Sequence, residues 1–202
     1  MAVMSDALWY LGRGTGVVSL VLLTLVVALG VATRSGRPLP GLPRFAVTAV
    51  HRSASLLAGV FLAIHVGTLL FDPYAGLNLV SLVVPFSAGA HPFWYGLGAL
   101  GLDLILALVV TSVLRDRIGP RVWRGIHWAA YASWPIALAH GLGSGSDAST
   151  GWMLTITGVC VATVLAAVGW RVSERFAEVP DLAPVPVTAP PLVGTGPPEG
   201  PR

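Results

Sequence analysis

Residues 44–71 read RFAVTAVHRSASLLAGVFLAIHVGTLLF, and this stretch decides the fold. At about 1.5 Å per residue it is long enough to cross a hydrocarbon core of roughly 30 Å. It carries two histidines, His51 and His65, fourteen positions apart. At about 100° per residue that spacing falls roughly 40° short of four turns, so both rings leave one face of the helix, about 21 Å apart along its axis. A second segment, Val122 to Leu142, repeats the arrangement with His127 and His140, so these two segments hold four of the five histidines.

Working outward, composition agrees with a membrane setting. Of 202 residues, 54% are hydrophobic and 10% charged, too apolar a balance for a soluble domain of this length. Apolar runs of spanning length begin near Leu8, Arg44, Pro92, Val122 and Gly151, which predicts an all-α, polytopic membrane bundle of five transmembrane helices. The connection between the first two holds Arg34, Arg37 and Arg44; that between the third and fourth holds Arg115, Arg117, Arg121 and Arg124. The alternate connections, 72–92 and the Gly/Ser-rich loop with Asp147, hold no Arg. The positive-inside rule then predicts an N-terminus outside and a cytoplasmic C-terminus. Trp9, Trp94, Trp123, Trp152 and Trp170 fall near predicted helix ends, where aromatic belts form.

Several features are weighed and set aside. The run Gly12-Arg13-Gly14-Thr15-Gly16 superficially resembles a nucleotide loop, but no strand precedes it and no βαβ unit follows; its glycines suit close helix packing instead. The first apolar run is too long, and its flank too poor in basic residues, for a signal peptide. The lone Cys160 allows no internal disulfide, and there is no C-x-x-C-H for covalent haem attachment. Leu77 to Phe86 is apolar but too short to span, and is expected in the interface or over the bundle. Residues 177–202, rich in Pro and Gly, are expected to form a disordered cytoplasmic tail. Nothing points to a nucleic-acid partner; lipid is the expected surroundings.

With the predicted topology, His51 and His127 share the inner depth and His65 and His140 the outer one. A single membrane histidine can simply bridge two helices by a hydrogen bond. Two spaced pairs at matching depths point further, because polar groups inside the bilayer are costly and usually functional. Neutral imidazole is a good iron ligand, and two imidazoles from facing helices can fill both axial positions of a haem. Ser53, Ala54, Ala58, Gly59 and Ala63 on one helix, and Ala129, Ala130, Ala132, Ser133 and Ala137 on the other, leave room for a flat macrocycle or allow close helix packing. A histidine-lined path for a metal or a proton in a transporter or channel is the alternative reading, and a purely structural subunit a third. The thirteen-residue spacing of His127 and His140 leaves the second pair about 140° short of four turns, and Pro135 between them is expected to re-aim the helix.

The spacings H-x13-H and H-x12-H, with the stretch TSVLRDRIGPRVWRGIHWAAYASWPIALAHGLGSGSD at 111–147, resemble the ferric reductase-like transmembrane domain family, over roughly residues 8 to 176. The resemblance implies a ferric reductase-like domain at 1–176 in the bacterial plasma membrane. It implies a b-type cytochrome with two non-covalent haem b groups, His51 and His127 holding the inner one and His65 and His140 the outer. Arg13 would then neutralise an outer haem propionate or snorkel to the headgroups. Arg52 and Arg124 stand in the same relation to the inner haem, besides their plain topogenic role. The oxidase members carry a flavin and nicotinamide domain and typically six spans. No part of these 202 residues reads as such a domain, so FMN or FAD is expected only on a partner flavoprotein reductase, with quinol as the other possible donor. The implied function is electron transfer across the bilayer to an extracytoplasmic acceptor. Two further polar residues stand apart: Asp103, mid-span as proton carrier, quinone contact or structural partner, and His91, a surface residue beside Pro92.

Overall fold

The computed structural model describes residues 2–35, 41, 43–173 and 176. Among these the chain is all-helical, with no strand. In order the helices are α1 (Ala2–Ser35), α2 (Arg44–Phe71), α3 (Leu79–Val83), α4 (Pro92–Val113), α5 (Arg115–Ile118), α6 (Pro120–His127), α7 (Ala130–Ser144) and α8 (Gly151–Val172). Four of them, α1 from Asp6, α2, α4 and α8, are long and apolar enough to cross a membrane. The segment expected as one further span is divided into α6 and α7. The tail expected from residue 177 lies outside the described residues.

Helix boundaries follow local chemistry. Pro43 holds extended backbone (φ −66°, ψ 157°) at the start of α2, and its carbonyl accepts from the N–H groups of Ala46 and Val47 at 2.9 and 3.2 Å. Asn78 and Ser81 close a reciprocal capping box at α3. Pro92 and Pro120 open α4 and α6, where the missing N–H would have had no helical partner anyway. Gly119, at φ +80°, makes the turn into Pro120. The apolar stretch around α3 covers one end of α4: a Cβ on Gly96 would overlap the Phe86 ring.

Between α6 and α7 the backbone stays helical at Trp128 (φ −61°, ψ −24°) and Ala129 (φ −61°, ψ −18°). Its hydrogen bonds shorten, however: Ala129 to Ile126 at 2.9 Å, Tyr131 to Trp128 at 3.1 Å and Ala132 to Ala129 at 3.0 Å are three-residue bonds. A 3₁₀ step turns about 120° instead of about 100°, so each such step recovers roughly 20° of the phase that His127 and His140 lack. The correction was expected at Pro135. Pro135 lies inside α7, and the tightened turn lies just N-terminal to the Tyr131 carbonyl, which the proline deprives of its N–H partner.

α1 is the central helix. It packs against α2, α7 and α8, α4 packs on α7, and α2 packs extensively on α1 alone. One core joins Val27 of α1, Trp134 of α7 and Cys160 and Val164 of α8; another joins Leu29 and Ala32 of α1 to Val47 and Ala54 of α2. Inside the first, the buried Trp134 Nε1–H donates to Thr24 Oγ1 at 2.8 Å. Outward faces carry bare apolar side chains such as Leu56 and Leu165, each 65% exposed, which water would disfavour and lipid does not. Because α2 leans on α1 alone, a gap is left between it and the α4–α7 pair.

Candidate functional site

That gap is a cavity of about 1150 Å³, lined by His51, His65, His127 and His140. It exceeds the roughly 300–1,000 Å³ of a single-ligand cleft. One end is lined by Arg13, Ser146 and Asp147, the other by Arg34, Arg52, Arg115, Arg124 and Arg171. Of the small residues singled out above, Ala58, Gly59, Ala130, Ser133 and Ala137 line it. Ala54 is buried against α1, and Ser53 and Ala63 face out.

At the Arg13 end, His65 of α2 and His140 of α7 face each other with ring centres 6.4 Å apart and planes at 76°. His65 Nδ1 lies 2.6 Å from the Gly12 carbonyl oxygen, and His140 Nδ1 lies 2.8 Å from that of Trp94. A carbonyl can only accept, so both Nδ1 atoms carry the proton and both Nε2 atoms keep a free lone pair. Imidazole–metal bonds of about 2.0–2.1 Å, with about 1 Å more from nitrogen to ring centre, separate two axial ring centres by about 6 Å. The observed separation fits. Among the described residues no three His, Cys, Asp or Glu side chains converge as a metal site. Two imidazoles suit a metal that brings its remaining ligands with it, as haem iron does.

At the other end, His51 of α2 and His127 of α6 line the same cavity. The Nδ1 atoms of both are buried without a hydrogen-bond partner. The Val26 carbonyl faces His51 without reaching hydrogen-bond geometry. His127 lies against Trp123, one turn earlier on the same helix, with ring centres 4.8 Å apart, and Trp123 Nε1 donates to Ser112 Oγ at 3.3 Å.

Arg13 is engaged at the cavity mouth. Its Nη2 lies 2.5 Å from Asp147 Oδ2, its Nη1 donates to the Ser146 hydroxyl, and its guanidinium stacks 4.3 Å above the Trp9 ring. Arg52 is exposed at the rim; Arg124 is half-buried, its Nε donating to the Pro120 carbonyl at 3.3 Å. Asp103 is half-buried on α4 and outside the cavity lining, and the exposed His91 stacks edge-on with Tyr95. Sequence reasoning missed Arg171, the Gly12 and Trp94 carbonyls, and the roles of Gly16 and Gly98 beneath the two rings. One signal was available: Gly16 and Gly30 repeat the fourteen-residue spacing of His51 and His65.

Fold and cavity define a multi-pass helical membrane protein with a histidine-lined interior. Residues 15–138, more than half the chain, match the family described as ferric reductase like transmembrane component, and the chain belongs to that family. The match includes His51, His65 and His127 and stops two residues before His140. Membership suggests a membrane electron-transfer function. No curated protein and no solved structure matches the chain.

Proposed function

We propose that this protein is a b-type dihaem cytochrome of the bacterial plasma membrane, passing electrons from a cytoplasmic flavoprotein or quinol to an extracytoplasmic acceptor. Residues 1–176 form the haem-binding domain, and 177–202 a cytoplasmic tail. Counting α6 and α7 as one span gives five, with the N-terminus outside and the C-terminus inside. The observation that supports this reading most is the His65–His140 pair: two imidazoles 6.4 Å apart across an unpacked gap, each with Nδ1 held by a main-chain carbonyl.

In this reading His65 and His140 would hold one haem, through the ring nitrogens opposite their carbonyl-bonded Nδ1 atoms, and His51 and His127 the other. Bound there, haem iron supplies one-electron redox chemistry. With two histidines offered to each iron, the chain would leave no ligand position open to oxygen. Arg52 and Arg124 at one end offer positive charge to haem carboxylates, and Arg13 at the other would do so from its ion pair with Asp147. The basic rim around Arg115 and Arg124 also suits the acidic face of a flavoprotein, in an association that weakens with salt.

The decisive test is the purified, fully loaded chain. Two haems per chain, with redox-sensitive bands of bis-imidazole ligation, are expected; a reproducible ratio near one would sink the dihaem assignment. Protein that carries no chromophore and takes up no added haemin would favour a histidine-lined ion path instead. Under anaerobic conditions NADPH alone should leave the haems oxidised, and adding a flavin reductase or a reduced quinone analogue should reduce them. Topology is checked separately. With buried Cys160 replaced by Ala, a membrane-impermeant thiol reagent on intact cells should label Ser87→Cys and spare Arg117→Cys, both at exposed positions. The reverse pattern would invert the assigned orientation.

A further inference from the structure

We infer that Gly16 and Gly98 are positioning residues that bare main-chain carbonyls for His65 and His140, and that the two histidine pairs are thereby electronically unequal, the His65–His140 site having the lower reduction potential. The inference rests on the dihaem reading above. In an α-helix the Cα–Cβ bond tilts towards the N-terminus, so a side chain covers the turn before it, including the carbonyl four residues earlier. The carbonyl that accepts from His65 belongs to Gly12, and the residue four positions on is Gly16. The carbonyl that accepts from His140 belongs to Trp94, and the residue four positions on is Gly98. A Cβ at Gly16 would lie 2.9 Å from both Cε1 and Nδ1 of His65; at Gly98 it would lie 2.6 and 2.8 Å from the same atoms of His140. Any side chain there would push the imidazole off its acceptor.

The other pair has this arrangement only loosely, and at one ring only. Gly30, four residues after Val26, faces His51 in the same register, but more loosely: a Cβ there would lie 3.4 Å from His51 Cε1, an accommodable contact. His51 Nδ1 reaches no acceptor, and neither does His127 Nδ1. A carbonyl that accepts the Nδ1 proton makes the imidazole a stronger donor through Nε2. Stronger donation favours the more highly charged, oxidised iron, and outer hydrogen bonding of this kind is one of the protein's levers on potential. The site with two such bonds should therefore be reduced last.

Optical potentiometry on the full-length, haem-loaded chain tests this, with His65→Ala and His51→Ala assigning each component to its pair. Two one-electron components are expected in the unmodified protein, the lower one disappearing in His65→Ala. Gly98→Ala and Gly16→Ala should each raise the lower component and leave the higher one in place, and should change the low-spin ferric EPR signal of that pair alone. Gly30→Ala should leave the lower component unchanged. If either glycine variant loads only one haem, loss of the His65–His140 component alone supports the positioning role, and loss of both together overturns it. Unchanged potentials in both variants, or a lower component that belongs to His51, also overturn it. A chain without two haems would instead defeat the parent reading, which keeps the two failures distinct.

Discussion

At the Arg13 end of the cavity, two histidines from different helices each hold a hydrogen bond to a carbonyl of a third or fourth helix, at 2.6 and 2.8 Å. At the far end, on the same two ligand-bearing strands of sequence, His51 and His127 bury their Nδ1 atoms with no such bond. Residue type and pairing are alike at the two ends, although His65 and His140 are the more deeply buried. What differs is the neighbouring helix: glycines beneath His65 and His140, a looser glycine beneath His51, and a tryptophan beside His127. On the proposed reading, a pair of histidines at suitable spacing is thus only half of a ligand site. The other half is a wall that can approach closely and present an acceptor.

The largest effect expected from breaking this comparison is loss of one site. His65→Ala should take the haem content from two per chain to one, with the His51–His127 spectrum retained, as measured by pyridine haemochrome against protein concentration. His51→Ala should leave the complementary spectrum. If either substitution empties both sites, the two ends do not load independently.

A smaller effect should be shared by both ends. Trp134 fills the core between α1 and α7 midway along the cavity, and its Nε1–H satisfies Thr24. Trp134→Ala should cost about 3–5 kcal/mol. Trp134→Phe removes the hydrogen bond and should cost about 0.5–1.5 kcal/mol. Thermal unfolding in detergent, followed by helical circular dichroism, checks both. Trp134→Phe should change haem loss on heating by the same amount at the two sites; a change at one site alone would show that this core supports only that end.

The smallest effect belongs to the Arg13 end alone. Asp147→Asn removes an ion pair whose carboxylate side chain is 36% exposed, so solvent screening limits its worth to about 0–1 kcal/mol. A thermal shift near the limit of detection is expected, diminishing further at high salt. A large, salt-insensitive shift would mean that this pair ties α1 to the α7–α8 loop far more firmly than its exposure allows.

The sequence alone determined the helical membrane class, the faces on which His51 and His65 stand together, and the basic-free and basic-rich alternation of the connections. These are readable because hydropathy and a 3.6-residue period are properties of one segment at a time. It also excluded a nucleotide loop at Gly12–Gly16, for the sound reason that no strand adjoins it. The tertiary structure decided the rest. Arg13 meets Ser146 and Asp147, more than 130 residues away, and Asp103, open in the sequence to several roles, stands outside the cavity. Part of the His127–His140 phase is recovered at Trp128–Ala132, a tightened turn that the sequence did not announce. Above all, Gly16 and Gly98 become parts of the site only when α1 and α4 are rotated to set them beneath the rings of α2 and α7. Such choices depend on how one helix is rotated and crossed against another, a relation between segments that no single period along the chain encodes.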